Sequence, residues 1–188
     1  VNIDGKEFNP TAGKSWATNK KGMDVLISKN RIFGQKNTLR YKLYLEDYSV
    51  SELSNLWIDT RGEVSRIYVV QTAYQVIQRC VLMTTDPGDL VLDPTCGSGT
   101  SAYVAEQWGR RWITCDTSRV AIALAKERLM TASYDYYQLA HPDEGVGSGF
   151  IYKTVPHITL GSIANNEPPA EETLYDQPFI DNSKARVT

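Results

Sequence analysis

The sequence predicts an α/β protein of the doubly wound kind, and three observations carry that expectation. A short, wholly apolar run, LVL at residues 90–92, ends in Asp93 and passes directly into the glycine turn CGSGT. Wholly apolar runs of that length belong to strands buried on both faces of a parallel sheet. A second run, WITC at residues 112–115, finishes at Asp116. Each run is followed by a helical pattern, which gives the order strand–helix–strand–helix.

The elements follow in order. A helix is expected over residues 22–29, where Met23, Leu26 and Ile27 share one side. YKLYL at 41–45 alternates as a short strand does. Leu53, Leu56, Trp57 and Ile58 form a small apolar knot before a turn at Arg61 and Gly62. From 72 to 83, Val76, Ile77, Cys80 and Val81 recur at helical spacing, and DPGD at 86–89 stops the helix. A helix over 101–108 leaves the glycine turn and ends at Gly109. A third, over 118–130, turns Val120, Ala121, Leu124 and Ala125 inward. Past Tyr137 the pattern weakens. GVGSG at 145–149 reads as a flexible joint, and 150–160 as one or two strands broken at Pro156. The stretch from Asn165 onward, rich in Pro, Glu and Asp, reads as loop or linker. The chain thus divides into a basic N-terminal segment (1–66), an α/β core (67–137) and a C-terminal extension with an acidic linker (138–188).

The bulk properties narrow the function. The 188 residues suffice for one domain with a sizeable core. No apolar stretch approaches the roughly 20 residues of a membrane span and no signal peptide opens the chain, so no membrane partner is expected. The chain opens on Val1 rather than methionine, as a piece of a longer protein does. Cys80, Cys96 and Cys115 show no metal-ligand spacing, and their odd number fits free thiols in a reducing cytoplasm. His141 and His157 are isolated beside prolines, so no metal site is expected. A net charge of −2 excludes a uniformly basic nucleic-acid binder. The charge is uneven, however: Lys14, Lys20, Lys21, Lys29, Arg31, Lys36, Arg40 and Lys42 crowd the first part, and Glu167, Glu171, Glu172 and Asp176 weight the tail. Such a basic stretch is a solvated face, or a phosphate-facing one if other features point to DNA.

The glycine turn carries the chemistry. Residues 97–102, GSGTSA, match G-x-G-x-x-[GA], with Asp116 following at the end of the next strand. Glycines let the backbone approach a ligand closely, and the acid can accept bonds from a ribose diol. That much also suits NAD. A Walker phosphate loop is excluded, because no Gly-Lys-Ser/Thr follows. Asp93 separates the alternatives: a carboxylate at the mouth of the turn repels a pyrophosphate but can hold an ammonium. S-adenosylmethionine has no phosphates and carries an ammonium and a sulfonium. The bland alternative is that Asp93 caps the turn, since Asp-Pro is a common turn starter.

At this point DPTCGSGT, residues 93–100, resembles the cofactor motif of the amino-methyltransferases of DNA, which methylate adenine N6 or cytosine N4. The order resembles their permuted beta class, in which the catalytic motif and the cofactor motif are exchanged along the chain. YVVQT at 68–72, a helix and DPGD at 86–89 match the segment preceding the cofactor motif. The likeness runs from about residue 57 to 130, more loosely over 15–32, and is nearest to Type III modification subunits. It implies a Rossmann-like methyltransferase sheet, incomplete in this chain, with S-adenosylmethionine as cofactor. The implied cofactor contacts are Asp93, Thr95, Cys96, Gly97, Ser98, Gly99, Thr100, Asp116 and Thr117. Where many members carry Pro-Thr-Gln-Lys-Pro this chain has VVQTA, so either Gln71 or Thr72 is expected to meet the cofactor's carboxylate. Implied partners are double-stranded DNA, an upstream catalytic half of the same protein, a restriction subunit, and further copies of the chain through unpaired sheet edges.

The same resemblance exposes a gap. The family positions the target amine with Asp/Asn-Pro-Pro-aromatic, whose aromatic stacks on a flipped base. No such motif occurs here. NEPPA at 166–170 lies on the wrong side of the cofactor motif and ends in alanine, so it is read as linker. Cys96 is no cytosine-C5 nucleophile, because it lies inside the turn and does not follow a proline directly; a packed, inert thiol is expected. No catalytic residue is assigned. The expectation is a cofactor-binding part of a DNA amino-methyltransferase, with a nicotinamide-dependent oxidoreductase and a non-catalytic DNA-binding module of similar fold as alternatives.

Overall fold

The computed structural model describes residues 1–3, 5–60, 68–69 and 71–184. In chain order these form β1 (Asn2–Ile3), β2 (Lys6–Glu7), α1 (Lys20–Ser28), β3 (Ile32–Gln35), β4 (Thr38–Tyr41), α2 (Tyr74–Thr84), β5 (Leu90–Asp93), α3 (Thr100–Gln107), β6 (Arg111–Thr114), α4 (Arg119–Thr131), β7 (Tyr152–His157), α5 (Leu160–Asn165) and β8 (Ala170–Pro178). The chain is mixed α/β with two-stranded sheets, β1 with β2, β3 with β4, β5 with β6 and β7 with β8. It separates into two compact units, one of Val1–Glu52 with Thr154–Thr173, the other of Leu53–Lys153 with Leu174 onward. Among the described residues no helix is long and apolar enough to cross a membrane.

In the first unit, α1 begins where Asn19 accepts a bond from the Gly22 amide (2.8 Å), an ordinary N-cap. Its apolar side buries Met23 and Leu26, and Leu26 packs with Ile163 and Ala164 of α5. The helix ends at Asn30, whose left-handed backbone (φ +55°) lets the Arg31 amide reach the Leu26 carbonyl. Arg31 then forks onto the buried Asp47, with Nη2 to Oδ1 at 2.8 Å. Asp47 also accepts from the Tyr44 amide, and the Arg31 guanidinium above all holds its carboxyl below the usual carboxylate range.

That pairing corrects the sequence reading at 41–45. The strand is Thr38–Tyr41, paired antiparallel with Ile32–Gln35, and Leu43 and Leu45 are exposed. Alternation continues through Leu45, but Asp47, drawn in by Arg31, turns the chain into a short 3-10 helix at Leu45–Asp47. The linker read after Asn165 is also corrected, because Ala170–Pro178 is a nine-residue strand. Composition counts its acids as solvating, whereas Glu171 accepts from Thr154 and Glu172 from Tyr48, with the His157 ring at 2.6 Å. Nor does Pro156 break β7, since one side of each strand in a two-stranded sheet needs no N–H donor. Residues 145–149 contain a 3-10 turn, Val146–Ser148, where the Ser148 hydroxyl donates to the Gly145 carbonyl. The expected knot at 53–58 is not packed: Leu53, Leu56 and Ile58 are exposed, and Trp57 instead lies under Arg79, 5.3 Å from its ring centre. The turn expected at Arg61 and Gly62 lies outside the described residues.

The second unit holds the strand–helix–strand–helix order that the sequence predicts. β5 and β6 run parallel, with Leu90 opposite Arg111, Leu92 opposite Ile113 and Asp93 opposite Thr114. Val104 and Trp108 of α3 pack against Val81 of α2, with Tyr74, Ile77, Leu82 and Tyr137 around them. At the amino ends of the strands sits Arg110, 5% exposed. Its guanidinium donates to the carbonyls of Trp108 and Thr85 and to the Thr85 hydroxyl. Trp108 and Thr85 are the C-caps of α3 and α2, so one cation answers the negative ends of two helices. The opposite face of the strand pair is different. Leu90, Leu92 and Ile113 share it and are 51%, 65% and 54% exposed.

Candidate functional site

The carboxyl ends of β5 and β6 hold both aspartates that the sequence singles out. The Cys115 amide donates to the Asp93 carbonyl (3.0 Å) and the Cys96 amide to the Cys115 carbonyl (2.9 Å), so the two strand ends are laced by backbone. Between them the chain turns at Gly97 (φ +49°) and Gly99 (φ +77°) and enters α3. Gly99 is obligatory for two reasons. Its backbone is left-handed, and a Cβ there would lie 2.8 Å from the Ala125 methyl of α4. A Cβ on Gly97 would meet the Tyr68 ring at 3.5 Å, an ordinary van der Waals contact, so only its positive φ calls for glycine.

The aspartates are used differently. Both oxygens of Asp116 accept from backbone, Oδ2 from the Gly97 amide (2.9 Å) and Oδ1 from the Ser118 amide (2.8 Å). Those bonds, that of Ser118 first, hold its carboxyl below the ordinary aspartate range. The Thr117 amide adds to them, and only the acceptor capacity that remains on the carboxylate is left for a ligand. Asp93 accepts from the Thr95 amide through Oδ1 (3.0 Å), the turn-capping bond of the bland alternative. No described residue bonds its second oxygen.

The remaining expected contacts fall into three groups. Thr72, Asp93 and Thr95 line one groove of about 570 Å³ beside the turn, together with Ser101 and side chains of α2 and β5. Among the described residues that line it Asp93 is the only charged one. Ser98 and Thr100 are buried, and their hydroxyls lie 3.1 Å apart, turned inward; only backbone atoms of these residues are left for a ligand. Cys96 is buried, its thiol 3.7 Å from the Gly97 carbonyl, and Thr117 is exposed. Gln71 is half-buried next to Thr72.

Two residues at the turn were not singled out as contacts by the sequence. Tyr68, over Gly97, lies inside the quoted YVVQT stretch, but a tyrosine there gives no periodic signal. Arg128 reaches Ser98 and Thr100 from α4, although its position in the last turn reads as an ordinary solvated or dipole-answering residue. NEPPA at 166–170 joins α5 to β8 in the first unit, where the Asn166 side chain accepts from Lys29. Arg31, one of the basic residues considered for DNA contact, is committed to Asp47 instead. Among the described residues no cluster of His, Cys, Asp and Glu could hold a metal ion.

A DNA methylase family model matches residues 8–127 of the chain. The Type II methyltransferase M.EcaI of Enterobacter cloacae is 29% identical over 129 residues, covering 65% of this chain and 28% of that protein. The Type II methyltransferase M2.LlaDCHI of Lactococcus lactis subsp. cremoris is 29% identical over 93 residues, 47% of this chain and 35% of its own length. The Type II methyltransferase M.HpaI of Haemophilus parainfluenzae is 42% identical over 80 residues, 40% of this chain and 26% of that protein. The chain therefore spans roughly a third or less of these relatives. All three are named Type II, so they lend nothing to the Type III likeness.

Proposed function

The chain belongs to the DNA methylase family, as the amino-methyltransferase resemblance of its sequence implied, and from that premise we propose that it is the donor-binding part of an enzyme methylating an exocyclic amine of DNA. S-adenosylmethionine is the donor in this reading, and adenine N6 is favoured over cytosine N4 only through the Type III likeness of the sequence. The strand pair with its helices is then one portion of a Rossmann-like sheet. One observation carries the proposal: Asp93 and Asp116 flank a glycine turn at the carboxyl ends of parallel strands, where open α/β sheets bind ligands. The chemistry of the groove supports a cationic donor, because among the described residues its one charged lining residue is a carboxylate.

The bound donor supplies an electrophilic methyl carbon. The chain's residues would orient it: the Asp93 oxygen that no described residue bonds would meet the ammonium, Asp116 the ribose hydroxyls, and the backbone of the turn at Gly97 would lie against the ligand. Catalysis of this kind is largely positioning, since an exocyclic amine is a poor nucleophile that must be held in line. The Pro-Pro-aromatic element for that is assigned to another part of the enzyme. The half-exposed Leu90, Leu92 and Ile113, and a β5 that pairs with β6 alone among the described residues, support such a missing part. Lys20 and Lys21, both exposed, remain candidates for phosphate contact; their neutralisation should lower the salt dependence of DNA binding.

Calorimetry with S-adenosylmethionine and with NAD tests the donor. Binding of the former, weakened by Asp93→Ala, is expected. Binding of NAD alone, or an affinity for S-adenosylmethionine indifferent to Asp93→Ala, would sink it.

A further inference from the structure

We infer that Arg128 is the positioning residue that sets the backbone geometry of the glycine turn, reaching it from a helix two elements further along the chain. The inference rests on the reading of that turn as a ligand site. Arg128 Nη1 donates to the Thr100 hydroxyl (3.0 Å) and the Ser98 carbonyl (3.3 Å), with the Ser98 hydroxyl at 3.5 Å. Its guanidinium carbon lies 4.6 Å from the centre of the Tyr103 ring, which holds the guanidinium in place.

The placement runs against the usual economy of helices. An arginine in the last turn of α4 ordinarily answers that helix's own carbonyls. Here it is directed to the first turn of α3, where backbone dipoles disfavour a cation. Its acceptors are what offset that: a carbonyl inside the turn, two buried hydroxyls and a ring face. The contacts also explain why Ser98 and Thr100 face inward. With both hydroxyls drawn to Arg128, and Gly97 tethered to Asp116, the turn is fixed from both ends. Ala125, one helical turn earlier on α4, closes against Gly99 from the same side. The ligand surface of the turn is thereby a product of α4 as much as of its own glycines.

Amide hydrogen exchange on the 188-residue chain tests this independently of any ligand. In Arg128→Met, exchange at Gly97 and Gly99 should rise about 10-fold or more while Val104 and Ala105 in α3 keep their protection. Arg128→Lys should not restore it, because an ammonium lacks the planar guanidinium that lies over the Tyr103 ring while its Nη1 reaches the turn. Thr100→Val, which removes the nearest acceptor and leaves Arg128 in place, should reproduce part of the effect; combined with Arg128→Met it should add little. In parallel, S-adenosylmethionine affinity of Arg128→Met should fall about 10-fold. Unchanged exchange at the turn, full rescue by lysine, or looser exchange with unchanged donor affinity would each overturn the assignment. If the unmodified chain binds no S-adenosylmethionine, the proposed function fails, and exchange at the turn still decides whether Arg128 holds it.

Discussion

The two ends of the β5–β6 pair treat charge in opposite ways. At the amino ends Arg110 is buried and spends its donors on the carbonyls that close α2 and α3 and on the Thr85 hydroxyl. At the carboxyl ends Asp93 keeps one oxygen unbonded by any described residue, and Asp116, partially exposed, accepts from backbone amides alone. A cation with its donors committed inside the fold stabilises it and can do no chemistry. A carboxylate left half-satisfied contributes little to stability, and that is what a ligand site requires. The same contrast recurs between units: Arg31 and Asp47 satisfy each other in the first unit, while among the described residues lining its groove Asp93 meets no cation.

Four experiments bear on that contrast. The largest effect is expected from Arg110→Met, which strips two helix ends of their donor and should cost about 3 kcal/mol or more in urea unfolding. Donor affinity, measured where the variant is folded, should change less than about two-fold. A variant as stable as the parent would break the comparison at its amino end. Asp93→Ala should do the reverse: affinity for S-adenosylmethionine lower by about 10-fold or more, stability within about 1 kcal/mol. A matching loss of stability would make Asp93 a structural cap after all.

Asp116→Asn sits between the extremes. It keeps the shape but sets an amide group against a backbone N–H, so the Gly97 or Ser118 bond is lost. A few-fold weaker affinity together with faster exchange at Gly97 is expected, about 3-fold in each. Loss of affinity without faster exchange would mean that the turn does not depend on this acid. The smallest effect is in pH. The folded-state pKa values of Asp47 and Asp116 are both depressed, so their contribution is present above the unfolded value of about 3.9 and lost as pH falls through the folded values. Thermal stability should decline below about pH 4. Asp47→Asn, scanned from pH 6 to 2, should flatten that decline; an unaltered acid limb would assign it to other groups.

Much of the second unit was legible because local rules agree there. LVL and WITC read as short strands bounded by turn residues, although the face with Leu90, Leu92 and Ile113 is exposed rather than buried. The first unit and the tail were harder. The alternation in YKLYL is real but yields to the Arg31–Asp47 pair, whose members are 16 residues apart. The acids of Ala170–Pro178 read as solvent-facing until Tyr48, Thr154 and His157 are seen beside them. Composition counts charges; it does not see their partners.

The sequence by itself determined that a glycine turn joins a strand to a helix between two aspartates, because backbone conformation is a local property that residue type controls. Only the tertiary structure decided how each acid is used. Asp116 became a tether for Gly97, Asp93 kept an open oxygen, and Ser98 and Thr100 turned inward to Arg128. The reason is physical: a side chain's hydrogen-bonding capacity is allotted by whatever groups the fold brings within about 3 Å of it, and those groups come from elsewhere in the chain.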